Sequence, residues 1–228
     1  DRHHVAGSHV GLLQHRQQCT SGQHLTQVMA VDSAETSCSL CIEHAFATRT
    51  KGVALDAITS LRGQFGRGHE IIETAVAGLS PEQLHYRGEG STIQSIAAIY
   101  SHTVLGEDGL LNGMARGQAS LYDSGGWAAK TGIDGSKAGQ LSDQTSDALR
   151  EVDFAALREY AQTVYAETDA WLATLSEADL DRSIHISWMN TDMPLGQFIG
   201  SVVAWHTIHH GGEIAALTGV QGGHGLAF

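Results

Sequence analysis

The chain has 228 residues, of which 42% are hydrophobic and 17% charged, and this is enough for one globular domain with a substantial core. Lys and Arg total 13 against 25 Asp and Glu, a formal charge of −12, so no basic surface is expected to neutralise phosphates and we expect no nucleic-acid partner. No run of about 18 apolar residues and no signal-peptide pattern can be read, which predicts a cytoplasmic protein with no membrane partner.

The first fifty residues differ from the rest of the chain. They hold all three cysteines and show no sustained helical pattern, so we interpret residues 1–50 as an N-terminal extension, poorly ordered or not part of the domain, which spans 51–228. Cys38 and Cys41, with His44 close behind, could form half of a zinc site, but the second pair of ligands is not obvious.

Beyond the extension, apolar residues recur three and four apart, which predicts four helices. Their predicted bounds are 53–77, 91–114, 153–175 and 194–217. Gly78 would stop the first helix, and Ser91 with Gln94 would cap the second. Pro194 suits the first turn of the fourth. Residues 115–151 read as a long loop with one short helix near 143–149, and residues 183–189 as a short extended segment.

A faint internal repeat indicates how the helices pair. The turn L-S-P-E-Q-L (79–84) follows the first helix, and the similar L-S-E-A-D-L (175–180) follows the third, although chance similarity is the alternative. The repeat favours two helical hairpins. We therefore predict an all-α fold, an antiparallel four-helix bundle with a long loop between helices 2 and 3.

The fourth predicted helix carries His206 and His210, whose four-residue spacing places both rings on one face. Helical arithmetic puts several mainly apolar residues within about 60° of His206, so we expect the pair to face the bundle interior. These are Leu195, Ile199, Val202, Val203, His210, Glu213 and Leu217. Buried polar groups left unsatisfied cost about 1–3 kcal/mol each, which favours a shared metal ion. The alternative is a pair of core histidines hydrogen-bonded to one another or to the backbone. His209 lies near the edge of the apolar stripe, and we expect it beside the metal ligands or at the helix interface.

A facing helix usually completes such a site, and His102 on the second helix is the candidate. The apolar stripe of that helix centres about 110° from His102, whose own side holds small residues. His69 is the competing third ligand, while His85 and His185 lie in turns. Glu107 could be a buried partner for an arginine, Arg158 or Arg62, or an acid/base group near the site.

Five sequence motifs together resemble the DinB-like superfamily of metal-binding four-helix bundles. They are L-S-P-E-Q-L-H-Y-R (79–87), S-T-I-Q-S-I-A-A-I-Y-S-H (91–102) with Glu107, M-P-L-G-Q-F-I (193–199), H-T-I-H-H-G-G-E-I-A-A-L (206–217) and G-V-Q-G-G-H-G (219–225). The resemblance covers nearly all of residues 51–228. The cysteine-bearing N-terminus has no counterpart in it.

The resemblance implies a metal triad of His102, His206 and His210. Zinc is the first choice of divalent ion, with nickel or iron as alternatives that also suit imidazole. The position after His210 is often Arg in the family and is Gly211 here, which puts any substrate contact by that arginine in doubt.

The superfamily includes transferases that use bacillithiol or mycothiol, so the resemblance implies an enzyme that activates a low-molecular-weight thiol for transfer to an electrophilic small molecule. The alternatives are a metal-dependent hydrolase using metal-bound water and a non-catalytic metal-binding stress-response bundle. Glu213 is the candidate catalytic residue, either as a proton acceptor or as an acceptor that orients a ligand imidazole. A small-molecule substrate is expected, and a homodimer is left open.

Overall fold

The computed structural model describes residues 55–135 and 141–226. The predicted N-terminal extension, with its Cys38 and Cys41 zinc hypothesis, lies outside these residues. None of the helices in the described ranges is long and apolar enough to cross a membrane.

Four long helices, α1 to α4, form the bundle. They are α1, Ala57–Val76; α2, which is α-helical over Ile96–Asp108 and π-helical over Gly109–Ala115; α3, Phe154–Leu172; and α4, which is α-helical over Leu195–Phe198 and Trp205–Val220 with a π-helical segment, Ile199–Ala204, between them. Asp56 and Asp153 cap the first and third through hydrogen bonds from backbone N–H groups of the first turn. Gly78 follows α1 with a φ of +73°, as expected of a C-terminal stop.

The predicted start of α2 is wrong by one turn. Ser95, rather than Ser91, is the N-cap, and its hydroxyl accepts a hydrogen bond from the N–H of Ala98. Gln94 cannot complete a capping box with Ser91 because its Oε1 accepts a hydrogen bond from Ser146, 2.7 Å away. A side chain from the connection between α2 and α3 therefore sets where α2 begins.

The internal repeat is present in the structure. Ser80 forms a capping box with Gln83, and Ser176 forms the same box with Asp179. Each box begins a four-residue helix, Pro81–Leu84 and Glu177–Leu180, whose last leucine is buried. A hairpin of two antiparallel strands, β1 (Ser183–Ile186) and β2 (Thr191–Pro194), then leads into α4 and confirms the predicted extended segment.

Contacts between side chains fix the helix directions. Arg62 pairs with Asp169 and Glu73 with Arg158, so α1 and α3 run antiparallel. Gly68 packs on Thr207, and the Thr218 hydroxyl donates to the carbonyl of Ala75, so α1 and α4 run parallel. The predicted all-α bundle of two antiparallel hairpins is confirmed, with the two hairpins joined so that the first and last helices lie side by side.

The connection between α2 and α3 contains more structure than its composition indicates. It forms short helices at Leu121–Ser124, Trp127–Thr131 and Asp143–Ala148, and a 3₁₀ turn at Leu149–Glu151. The buried carboxylate of Asp108 accepts hydrogen bonds from the N–H groups of Leu121 and Tyr122, both at 2.9 Å, and from the Tyr160 hydroxyl. This polar anchor holds the connection against α2 and α3, a contact that no periodicity could reveal.

Candidate metal centre

The structure brings His102 of α2 together with His206 and His210 of α4. The Nε2 atoms of His102 and His206 lie 2.9 Å apart. The ring centroids are 4.9, 5.0 and 4.5 Å apart for the three pairs, and the candidate ligand atoms all lie within 4.8 Å of one another. These are the three residues that the superfamily resemblance implied as the triad.

The helical arithmetic predicted that both histidines of α4 face the bundle interior, and of the two only His210 is buried. His206 is half-buried and His210 is 8% exposed. The residues buried after Trp205 are Thr207, His210, Gly211, Ile214, Ala215 and Thr218. The π-helical segment Ile199–Ala204 explains the error, because its wider turn shifts the phase of every later residue relative to an ideal α-helix. The shift leaves the triad between α2 and α4 at the margin of the core, with His102 and His206 partly exposed.

Gly106 makes room for the triad on α2. A Cβ atom at this position would lie 3.1 Å from Cε1 of His206, closer than side chains normally approach. Gly106 is one turn beyond His102, on the side where the sequence places small residues. The absence of a side chain there lets the His206 ring approach the α2 backbone closely.

His206 is held in its neutral form. Burial lowers its pKa from 6.5 to about 3, and the neighbouring His210, His102 and His209 add to the effect. Its Nδ1 atom is buried and has no hydrogen-bond partner among the described residues. Because a metal ion binds the unprotonated imidazole, the environment favours the form that can act as a ligand.

Glu213 contacts the third histidine. Its Oε2 lies 2.6 Å from Nδ1 of His210, and its Oε1 lies 3.8 Å from Nε2 of His209. A carboxylate accepts from Nδ1–H and leaves Nε2 of His210 as the free ligand atom. His209 is largely exposed and stacks on Trp205, with 4.9 Å between ring centroids. With His210 and Glu213 it forms a second, more exposed group of possible ligands.

The other candidate histidines lie outside the triad. The Nε2 of His69 contacts both carboxylate oxygens of Glu107, at 2.9 and 3.1 Å. His185 is exposed on the hairpin and pairs with Asp192 at 2.7 Å. Burial and the nearby Arg150 lower the pKa of His85, which follows the Pro81–Leu84 helix.

The predicted arginine partners of Glu107 are wrong. Arg62 pairs with Asp169 and Arg158 with Glu73, because both arginines lie at the bundle surface, where those carboxylates face them. Glu107 is fully buried in the centre of the bundle. Its hydrogen-bond partners come from the other three long helices.

Gly211 faces α1 and not the metal centre. A Cβ atom there would lie 3.2 Å from Cγ2 of Ile71 and 3.2 Å from Cγ1 of Ile72. An arginine at this position would therefore meet the α1–α4 interface before it could reach a substrate. The glycine allows the two parallel helices to approach closely.

The donor set suits a divalent metal ion. Three imidazoles on two helices match the ligand type and number of open catalytic zinc sites, and imidazole also suits nickel and iron. The neutral state of His206 and the orientation of His210 by Glu213 are further features that such a site requires.

Comparisons with known proteins agree with this fold. The model of the DinB superfamily matches residues 64–214. No curated protein matches the chain. A solved structure of a conserved protein from Enterococcus faecalis is 19% identical, with a TM-score of 0.57, over 72% of this chain and 96% of that one. YfiT from Bacillus subtilis, described as a probable metal-dependent hydrolase with an unusual four-helix bundle topology, is 19% identical, with a TM-score of 0.46, over 73% of this chain and 88% of its own.

Proposed function

The chain belongs to the DinB superfamily, and on this premise we propose that His102, His206 and His210 hold one divalent metal ion in an enzyme that acts on a small molecule. The observation that carries the proposal is the approach of imidazole nitrogens from two helices, 2.9 Å apart between His102 and His206, with His210 beside them. A hydrogen bond between two core histidines would account for His102 and His206 but not for the third imidazole beside them. The third imidazole, and the carboxylate that orients it, favour a shared cation.

Each residue has a defined part in this proposal. His206 is neutral because of its burial, and Gly106 gives its ring the space it occupies. The Glu213 carboxylate accepts a hydrogen bond from Nδ1–H of His210, which leaves Nε2 of that ring available to the metal ion. A bound divalent ion, most simply zinc, would act as a Lewis acid and lower the pKa of a thiol or water that occupies its open position.

We propose that the nucleophile is a low-molecular-weight thiol such as bacillithiol or mycothiol, transferred to an electrophilic small molecule. A thiol has a pKa near 8.5 and needs little help from a cation to ionise at neutral pH, whereas water, with a pKa of about 15.7, depends on the cation for most of its acidity. Glu213 is already engaged with His210, which makes it a poorer base for water. Hydrolysis is the alternative that the reaction assays separate.

The metal proposal is tested by metal analysis of the purified protein. We expect about one divalent ion per chain in the wild type and loss of that ion in His102→Ala, His206→Ala and His210→Ala. His185→Ala is the matched control, because this exposed histidine pairs with Asp192 away from the triad. Full metal content in all three triad variants would overturn the proposal.

The reaction is tested with the metal-loaded protein. We expect it to accelerate conjugation of bacillithiol or mycothiol to monochlorobimane, and we expect His206→Ala to abolish that acceleration. Cleavage of a nitrophenyl ester without any thiol would favour the hydrolase. Absence of both activities in a protein that binds metal would favour a non-catalytic metal-binding bundle.

A further inference from the structure

One buried carboxylate joins all four helices of the bundle. Glu107 of α2 is fully buried. It accepts a hydrogen bond from the Thr168 hydroxyl of α3 at 2.7 Å and one from the Thr207 hydroxyl of α4 at 3.2 Å, a hydroxyl that is also 3.2 Å from the Val203 carbonyl one turn earlier on α4. His69 of α1 contacts both of its oxygens. A carboxylate in a protein interior requires such donors, so the positions of α1, α3 and α4 are all coupled to this one group.

The contact of Glu107 with α4 lies beside the triad. Gly106 and Glu107 are consecutive on α2, and they meet His206 and Thr207, which are consecutive on α4. Gly106 and His206 therefore form the side of the α2–α4 contact that faces the triad. Glu107 and Thr207 form the side that faces the core. A rotation of α4 that carried His206 away from His102 would also break the hydrogen bond between Thr207 and Glu107.

Close packing leaves α4 little freedom except this rotation. A Cβ atom at Gly68 of α1 would lie 3.1 Å from Cγ2 of Thr207, so the two helices already touch at the same residue. Metal ligation tolerates errors of only about 0.2 Å in ligand distances. Packing of small side chains sets the separation of the helices, while a directional hydrogen bond can set the angle.

We propose that Glu107 is a positioning residue for the metal centre: through Thr207 it fixes the rotation of α4 that brings His206 and His210 to His102. The proposal rests on the proposed function, because it concerns the ligands of that ion. Glu107 touches neither the ion nor the substrate, and its effect is expected on metal affinity and on ligand geometry.

The test uses zinc affinity, measured by competition with a chromophoric chelator, and the visible absorption spectrum of the cobalt(II)-loaded full chain. We expect Glu107→Gln and Thr207→Val to weaken zinc binding by about tenfold or more and to change the cobalt spectrum. Thr207→Ser keeps the hydroxyl and should restore both.

The matched controls are Asp108→Asn and Thr168→Val. Asp108 is an equally buried carboxylate on the same helix, but its partners are Asn112 of α2, Tyr160 of α3 and the connection after α2. Thr168 donates to Glu107 from α3, which carries no triad residue. We expect both controls to keep wild-type zinc affinity and the wild-type cobalt spectrum, whatever they do to the melting temperature.

The outcomes separate the two proposals. A wild type whose zinc affinity is unaffected by His206→Ala overturns the triad and the positioning role together. If His206→Ala weakens zinc binding but Thr207→Val keeps the wild-type zinc affinity and cobalt spectrum, the positioning role alone is overturned. If Glu107→Gln fails to fold by circular dichroism, the comparison of Thr207→Val with Thr207→Ser decides the question.

Discussion

The Nδ1 atom of His210 lies 2.6 Å from Oε2 of Glu213, one turn further along α4. The spacing of three residues lets the carboxylate reach back to the ring from the same face of the helix. A histidine that donates through Nδ1 presents an unprotonated Nε2, so this contact selects the tautomer that a metal ion needs. Glu213, which the sequence indicated as a catalytic candidate, is thus placed to orient His210, one of the three proposed ligands.

We expect Glu213→Gln to weaken zinc binding by about tenfold, because a neutral amide is a poorer acceptor for the Nδ1 proton than a carboxylate. The measurement is chelator competition at neutral pH. Activity per bound ion should change little if Glu213 only orients His210. A large loss of turnover at full metal occupancy would instead identify Glu213 as a proton acceptor in the reaction.

Gly106→Ala should damage the metal centre without unfolding the bundle. The new Cβ would lie 3.1 Å from Cε1 of His206 and would push the ring by a few tenths of an ångström, so we expect zinc affinity to fall by about tenfold. Gly109→Ala, on the same helix, is the control because no atom lies within 4 Å of its Cβ position. Equal zinc affinity in the two variants would show that Gly106 does not shape the site.

The sequence allowed prediction of the helices, their pairing and the three histidines, for different reasons. Helix existence follows from periodicity, and the pairing from the repeated turns that begin at Ser80 and Ser176, whose capping boxes are both present. Periodicity alone did not single out His102, because it lies off the apolar stripe. The family resemblance singled it out, and the structure brings it within 2.9 Å of His206 on the side of α2 that Gly106 leaves open.

The errors came from features that a helical wheel cannot represent. The π-helical segment Ile199–Ala204 changes the phase of α4, so the burial of His206 was misjudged. The hydrogen-bond partners of Glu107 come from three other helices. The hydrogen bond between Gln94 and Ser146 joins residues that are 52 positions apart in the sequence. Such contacts depend on the packed bundle and leave no local pattern in the chain.

The metal-free protein should lose stability as the pH falls below about 6.5. The pKa of His206 is about 3 in the folded protein and 6.5 in the unfolded chain, so between these values only the unfolded chain takes up the proton. At pH 5 this difference corresponds to about 2 kcal/mol, or a fall of about 4–8 °C in melting temperature, relative to neutral pH. The effect is absent above pH 6.5.

The control for this pH dependence is His206→Gln, measured by thermal unfolding at pH 7.5 and pH 5 after chelation. His85 has a lowered pKa of the same sign and remains in both proteins, so only the difference between them reports on His206. An identical fall in the two proteins would show that His206 is not buried in the neutral form.

Removal of residues 1–50 should leave the fold of the four-helix bundle and the metal of the triad intact. The four long helices and all three candidate ligands lie within residues 55–226. Circular dichroism and metal analysis of the truncated protein test this expectation. Loss of one zinc equivalent that is also lost in Cys38→Ser would instead reveal a structural site in the N-terminal segment.

Gly211→Arg should destabilise the protein even though arginine is common at this position in the family. The Cβ atom would meet Ile71 and Ile72 at 3.2 Å, and separation of the parallel α1 and α4 to admit it should cost about 1–3 kcal/mol or more. Gly212→Arg is the matched control, since nothing lies within 4 Å of its Cβ position and its cost should stay within about 0.5 kcal/mol. Urea unfolding of both variants measures the difference. Equal stability would mean that α1 and α4 can separate at no cost, and the arginine could then reach the metal centre.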